Sequence, residues 1–153
     1  LESVVMAPCW TVMLAFPQAM QPGLTTLGPQ WNAARSTHHR ISWLARESSK
    51  PGRGQIERWT VQAHPQWSAE HFHDSPQRVQ AKLERAFADV TGIHAQPSWS
   101  AIHRWEWAQT TQALGRNYLW DADLSLGACG DWCLGHRVEN AFISGLELAL
   151  HLA

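Results

Sequence analysis

Residues 124–145, LSLGACGDWCLGHRVENAFISG, decide the fold of this chain. A short apolar stretch at 124–129 predicts a strand that Gly130 and Asp131 end. A loop then leads to a helix predicted over 137–152. Its apolar residues recur at helical spacing, which predicts a buried face made of Val138, Phe142, Leu146 and Ala149.

The start of this helix carries chemistry suited to a ligand. The first amides of any helix lack intrahelical acceptors, and the helix dipole is positive there, which favours an anionic or electron-rich ligand atom. The carboxylate of Asp131, at the end of the strand, can accept hydrogen bonds from sugar or ribityl hydroxyls. Gly145 in mid-helix costs about 1 kcal/mol relative to alanine. This cost predicts close packing of the helix against a neighbouring element.

The preceding sequence predicts an antiparallel sheet with flanking helices, and therefore an α+β fold. Alternating apolar residues predict strands at 41–45 and 58–63. The apolar stretch 12–16, which Pro17 ends, predicts a buried strand, and a further strand is predicted at 100–108. Short connecting loops favour antiparallel pairing. Two helical segments are predicted, one turn at 67–72 and a longer helix that follows the cap Ser75, begins at Pro76 and stops at Gly92. The region 17–40 is predicted as loop with room for one short strand. Three tryptophans are expected in the core, namely Trp43, Trp59 and Trp67.

Composition bounds the class of protein. The chain has 153 residues, a formal charge of −1, 44% hydrophobic and 16% charged residues, which is globular composition. Nothing in this balance indicates a nucleic-acid or membrane partner. Three cysteines make no disulfide framework and favour the cytoplasm. The apolar stretch 4–16 lacks a basic leader and is not expected to be a signal peptide. A first residue other than methionine hints at a piece of a longer protein.

Several motifs occur together in one order. They are the Trp-Leu-Ala-Arg-Glu-Ser-Ser-Lys-Pro-Gly-Arg segment at 43–53, Gln-Trp-Ser at 66–68, His-Arg-Trp at 103–105, Leu-Trp-Asp at 119–121 and the Gly-Asp-loop-helix of 130–145. Together they resemble the renalase-like branch of the flavin-containing amine-oxidase superfamily, and the resemblance covers nearly the whole chain. This branch consists of FAD-dependent oxidoreductases.

The resemblance implies roles for particular residues. Gly130 and Asp131 would bind the ribityl or pyrophosphate region of FAD, and the helix start would face the flavin ring through Arg137, Val138 and Glu139. Substrate-binding candidates, as aromatic walls and one hydrogen-bonding group, are His103, Trp105 and Trp132. Hydride transfer to flavin requires an oriented donor more than a general base, so no catalytic residue is assigned.

The resemblance also implies that two regions of the chain have different functions. Residues 1–120 would form the sheet domain that covers the flavin and substrate, and residues 121–153 would contribute a strand and helix to a Rossmann-like FAD domain. The N-terminal Rossmann half of the same protein would hold most of the FAD. The implied reaction is oxidation of a dihydro-nicotinamide isomer of NAD(P)H, or an amine-type donor, with dioxygen as acceptor.

The sequence also departs from the branch, and other interpretations remain open. No Gly-x-Gly-x-x-Gly fingerprint occurs, so the isolated chain is expected to bind FAD weakly and to be inactive. Where the branch has Leu-His-Ala, residues 61–63 are Val-Gln-Ala. The alternative is a catalytically incompetent fragment that acts as a partner or structural module, or pairs as a homodimer. Three basic residues could either grip a substrate phosphate or lie in a solvated loop: Arg46, Lys50 and Arg53. No metal site is expected, because the histidines and cysteines lack zinc-site spacing.

Overall fold

Strands β1 to β5 form an antiparallel sheet in the order β2-β3-β4-β1-β5, and β6 and β7 form a second, two-stranded sheet. The structure, a computed structural model, describes residues 3–16, 31–53 and 56–153. The strands are β1 Val5–Phe16, β2 Ala33–Arg35, β3 Ile41–Arg46, β4 Glu57–Ala63, β5 Trp99–Gln112, β6 Leu119–Asp121 and β7 Leu126–Ala128. The helices are α1 Pro65–Glu70, α2 Pro76–Thr91 and α3 Val138–Leu152. The predicted α+β class with an antiparallel sheet is confirmed.

One face of the five-stranded sheet is buried beneath α2. Alternate residues of β1 and β4 face the same side, because side chains alternate along a strand. There Phe87 of α2 stacks on Phe16 with ring centroids 5.8 Å apart, and meets Trp59 edge-on at 5.4 Å. These three rings are at most 2% exposed. They belong to a core that also includes Trp10, Trp67 and aliphatic residues of β1, β3, β4 and α2.

Helix α2 has the ends that its sequence predicts. It follows Ser75 and begins at Pro76, whose missing N–H costs nothing at the first helical position. Gly92 ends it in the left-handed conformation, with φ +74°, and its N–H donates to the carbonyl of Ala88. The serine supplies no side-chain cap bond. Helix α1 begins at Pro65, two residues before the turn predicted at 67–72, because His64 caps it.

Several strands differ in extent from the prediction. β1 begins at Val5, seven residues before the predicted start, although it contains Pro8. The proline is tolerated because the pairing of β1 with β4 starts only at Thr11. β5 continues to Gln112, four residues beyond the predicted end at 108. The short strand allowed within 17–40 is β2, whereas the rest of that prediction, over 17–30, lies outside the described residues.

The chain divides into two compact units. The sheet unit is Pro8–Glu106, and the C-terminal unit is Leu1–Ala7 with Trp107–Ala153. The predicted division into 1–120 and 121–153 stays a prediction. Trp59 and Trp67 are buried as expected, but Trp43 is 36% exposed on the side of the sheet away from α2, so its placement in the core was wrong. None of the described helices combines the length and hydrophobicity that a membrane crossing requires.

The predicted buried stripe of α3 is wrong. Val138 is 86% exposed, Phe142 69% and Leu146 45%, and Ala149 is exposed as well. The side of α3 that packs within its own unit is instead centred on Ser144 and Leu148. We call the solvent-facing apolar surface the exposed face of α3. It consists of Val138, Phe142, Ile143, Leu146, Leu150 and Leu152.

Candidate functional site

The connection between β7 and α3 is a tight turn built on the carbonyl of Asp131. Residues Asp131–Cys133 form a 3-10 turn after the extended Gly130. The carbonyl oxygen of Asp131 accepts from the amides of Leu134, at 3.0 Å, and Gly135, at 2.6 Å. Gly135 has φ +128°, a conformation that suits glycine. Because the main chain of Asp131 carries the turn, its carboxylate is not needed to hold the loop.

The carboxylate of Asp131 is half-buried. No ion pair to it occurs within the described ranges. The side chain therefore keeps its acceptor capacity for a ligand. Its role in binding hydroxyl groups of a ligand stays a prediction.

The first turn of α3 presents amides without protein acceptors. Arg137 precedes the helix in an extended conformation, with φ −122° and ψ 146°, and makes no side-chain cap bond. Its carbonyl accepts from the amides of Asn140 and Ala141. Across residues 3–16, 31–53 and 56–153, the amides of Val138 and Glu139 donate to no protein acceptor. Both residues are exposed, so these donors are accessible to a ligand.

Trp132 lies directly against the backbone of Gly130. A Cβ atom built on Gly130 would be only 2.5 Å from the indole Nε1 and 2.7 Å from Cδ1. No substituted residue fits there unless the indole moves. The glycine therefore sets the position of Trp132, which is half-buried beside Asp131.

A buried serine ties this turn to the helix. The hydroxyl of Ser144, which is fully buried, accepts from the amide of Gly130 at 3.0 Å and donates to the carbonyl of Asn117. The close packing predicted at Gly145 occurs instead at Ser144, because a Cβ added to Gly145 would meet only Cys129 Sγ at 4.0 Å. The available signal was the small Ser-Gly pair inside an apolar helix.

The remaining predicted substrate residues belong to the sheet unit. His103 and Trp105 follow one another on the same side of β5, with ring centroids 4.3 Å apart. Arg104 between them points to the opposite side, where its guanidinium lies 5.6 Å from the Trp10 ring and donates to the carbonyl of Phe72. Trp105 is 53% exposed and Trp99, on the same side of the strand, is 54% exposed. The structure thus pairs His103 with Trp105, and groups Gly130, Asp131, Trp132, Arg137, Val138 and Glu139 in the C-terminal unit.

The basic loop after β3 is engaged in structural contacts. Arg46 forms a two-point ion pair with the buried Glu57, at 2.7 and 3.0 Å, and Ser48 donates to the same carboxylate at 3.0 Å. The hydrogen bond to Glu57 raises the pKa of Arg46 above its ordinary value. Lys50 pairs with Glu47, and that hydrogen bond lowers the pKa of the Glu47 carboxyl. Arg46 therefore links β3 to β4 through a buried carboxylate, whereas the Lys50 side chain is 53% exposed and its pair with Glu47 contributes little to stability. A role of these residues in binding a substrate phosphate stays a prediction.

In the part of the chain that the structure describes, Cys129 is an exposed free cysteine, and Cys9 and Cys133 are buried. Within that part, no three histidine, cysteine or acidic side chains are grouped so as to hold a metal ion. Cys133 is fully buried, and burial raises the pKa of the Cys9 thiol, which leaves it protonated and unreactive.

No protein-family model matches this sequence.

Proposed function

We propose that this chain is the C-terminal part of a renalase-like, FAD-dependent oxidoreductase. The observation that carries the proposal is the pair of free amides at Val138 and Glu139, which follow a Gly-Asp turn with a half-buried carboxylate. The order of these elements, a Gly-Asp turn followed by a helix, is the one that the sequence resemblance implies for a flavin site, and it supports the proposal. FAD, when bound, would accept a hydride from a dihydro-nicotinamide isomer of NAD(P)H or an amine-type donor and pass the electrons to dioxygen.

The donor set fits a flavin. The amides of Val138 and Glu139 would donate to the electron-rich edge of the ring and stabilise negative charge that develops there, with the helix dipole adding to the effect. Asp131 would accept from ribityl or ribose hydroxyls. Trp132, held against Gly130, offers a flat wall beside them. These groups orient the cofactor and tune its charge, and none acts as a general acid or base.

The proposed substrate-binding residues of the sheet unit lie on the exposed face of β5. His103 and Trp105 present an imidazole and an indole to solvent as one contiguous pair. Aromatic rings of this kind stack on planar ligands, and the imidazole can add one directional hydrogen bond. A planar donor such as a dihydro-nicotinamide is the ligand class that this pair would suit.

The need for the N-terminal Rossmann half is supported by the C-terminal unit. β6 and β7 pair only with each other within the described residues, and two isolated strands are marginally stable in water. The six side chains of the exposed face of α3 are 42% to 86% exposed, more contiguous apolar surface than soluble proteins usually leave open. Such a strand pair and helix are expected to complete a larger domain, here the FAD domain of a cytoplasmic enzyme.

The amide donors can be tested by a proline substitution. Val138 is the first residue of α3, where proline fits, and the extended Arg137 before it is compatible with a following proline. Val138→Pro therefore removes one N–H while it keeps the helix, and Val138→Ala is the control that keeps the N–H. In the chain expressed with its upstream Rossmann segment, we expect Val138→Pro alone to shift the flavin potential by on the order of −30 mV, the value of one lost hydrogen bond.

The carboxylate is tested in the same assembly. Asp131→Asn should weaken FAD retention, whereas Asp123→Asn, at an exposed position in the β6–β7 turn, should leave it unchanged. The isolated chain should bind FAD weakly in a fluorescence titration, because it lacks the nucleotide fingerprint. Equal potentials in both Val138 variants would refute the role of the amides. A colourless assembly whose upstream sequence has no glycine fingerprint would favour the second candidate, the incompetent fragment or homodimer.

A further inference from the structure

A cavity that is separate from the proposed flavin site lies in the sheet unit, where the turn before β3 meets the start of α1. Its volume is about 430 Å³, and three of its lining side chains are imidazoles: His38, His39 and His64. The two segments are joined by the amide of His64, which donates to the carbonyl of Arg40 at 2.8 Å. This main-chain bond holds the two segments together independently of the imidazole side chains.

The hydrogen bonds of two imidazoles fix their tautomers. Nδ1 of His38 accepts from the amide of Arg40 at 3.2 Å, and Nδ1 of His64 accepts from the amide of Gln66 at 3.3 Å. An imidazole nitrogen that accepts carries no proton, so the proton of each neutral ring is on Nε2. Each ring can therefore offer the cavity a donor and not a lone pair.

This tautomer decides which ligand class fits. A metal ion needs a lone pair from imidazole, whereas a metal-bound histidine normally donates its other N–H to an acceptor, the reverse of what His38 and His64 do. A ligand rich in acceptors is favoured instead. The hydroxyls of Ser36 and Thr37 line the same cavity and add donor capacity.

We propose that this cavity binds a small oxyanion, the phosphate or carboxylate group of a metabolite, through the Nε2–H groups of His38 and His64. Arg40, next in the chain to His39, contributes positive charge nearby. Glu70 lines the cavity and opposes an anion by like-charge repulsion. The buried wall of the cavity is Trp67, which is 6% exposed.

Asparagine substitutions separate the ligand role from the structural one. Asparagine Oδ1 can accept from the amide two residues ahead, as each Nδ1 does here, so His38→Asn and His64→Asn keep the turn and the cap. Both remove the imidazole Nε2–H. His73→Asn, at an exposed histidine outside the cavity lining, is the matched control.

The experiment is a titration of the chain with inorganic phosphate, acetate and Zn²⁺ at one neutral pH, followed by the imidazole nitrogen signals in NMR. We expect saturable shifts of the Nε2 signals of His38 and His64. Each asparagine variant should weaken binding about tenfold, the value of one hydrogen bond to a charged group, and His73→Asn should not. A response to phosphate alone identifies a phosphate group, and a response to acetate identifies a carboxylate.

Glu70→Gln distinguishes an anion from a metal by the sign of its effect. Loss of the repelling carboxylate should tighten oxyanion binding several-fold, whereas a metal site would lose a ligand and weaken. The proposal is overturned if neither anion gives a saturable shift, if the Nε2 positions prove unprotonated in the free chain, or if only Zn²⁺ binds and Glu70→Gln weakens it.

Discussion

Helices α2 and α3 are nearly equal in length but meet their surroundings in opposite ways. α2 has 16 residues and buries a narrow apolar stripe, including Val79, Leu83 and Phe87, beneath charged and amide side chains that face solvent. α3 has 15 residues and leaves most of its large apolar side chains exposed. Periodic apolar residues are therefore enough to form either helix, but the covering of an apolar face depends on what the chain packs against it.

Paired phenylalanine substitutions test this comparison most directly. Phe87→Ala should destabilise the sheet unit by about 3–5 kcal/mol, because it opens a cavity between the Phe16 and Trp59 rings. Phe142→Ala should change the stability of the isolated chain by less than about 0.5 kcal/mol, since that ring is 69% exposed. Urea unfolding followed by tryptophan fluorescence measures both. Similar losses from the two variants would show that α3 is covered in solution.

The buried ion pair predicts the next largest effect. Glu57→Gln leaves Arg46 without its charged partner and weakens the bond from Ser48, so a loss of about 2 kcal/mol is expected. Glu106→Gln, at an exposed position of β5, is the control. The free energy of unfolding measures the difference. If the Glu57→Gln chain is as stable as the control, the negative charge of Glu57 does not contribute to the free energy of unfolding.

A substitution at Gly130 sharpens the comparison within the C-terminal unit. Gly130→Ala should displace the Trp132 indole and destabilise this unit by about 1–2 kcal/mol, as overpacking does. Gly115→Ala is not a matched control because φ is +77° there. Gly145→Ala is a better one, since its Cβ would meet only Cys129 at 4.0 Å. Hydrogen exchange of the α3 amides reports the loss, and unchanged exchange in Gly130→Ala would contradict it.

The smallest effect is a dependence on pH from His38. Burial, and then the charges of His39 and Arg40, lower the pKa of this imidazole below its ordinary 6.5, while Asp89 acts in the opposite direction. The folded chain thus binds this proton less readily than the unfolded chain. Stability is full above pH 6.5 and is lost as the pH falls through the lowered value. His38→Asn should flatten this decline in urea midpoints measured across the acid side of neutrality, whereas His73→Asn should not.

The ends of an element could be predicted from the sequence where residues adjacent in the chain determine them. Ser75, Pro76 and Gly92 mark the ends of α2, and the structure begins and ends the helix there. Alternation located four strands of the five-stranded sheet. It missed β6, which has three residues, too few to show a period. It also started β1 late, since Pro8 looks like a break until the pairing partner of each residue is known.

The candidate site was predictable only in its local part. A helix after Gly130 and Asp131 predicts free amides at its start, and the amides of Val138 and Glu139 donate to no acceptor among the described residues. The role of these amides and of Asp131 in binding FAD stays a prediction. The contacts of Ser144 were not predictable, because they join residues 14 and 27 positions away. The cavity at His38 and His64 likewise depends on two segments that meet only in the folded sheet unit. Apolar periodicity in α3 was read as burial, although it indicates only that one side of the helix is apolar.

The hydroxyl of Ser144 also has a geometric consequence for α3. One oxygen holds two partners, the Gly130 amide and the Asn117 carbonyl, so the helix can neither slide along its axis nor rotate without breaking both bonds at once. These bonds thereby restrain the rotation of the helix about its own axis, and they do so from one residue near its middle. Whatever molecule meets the apolar side of α3 meets a helix that these two hydrogen bonds restrain in one orientation.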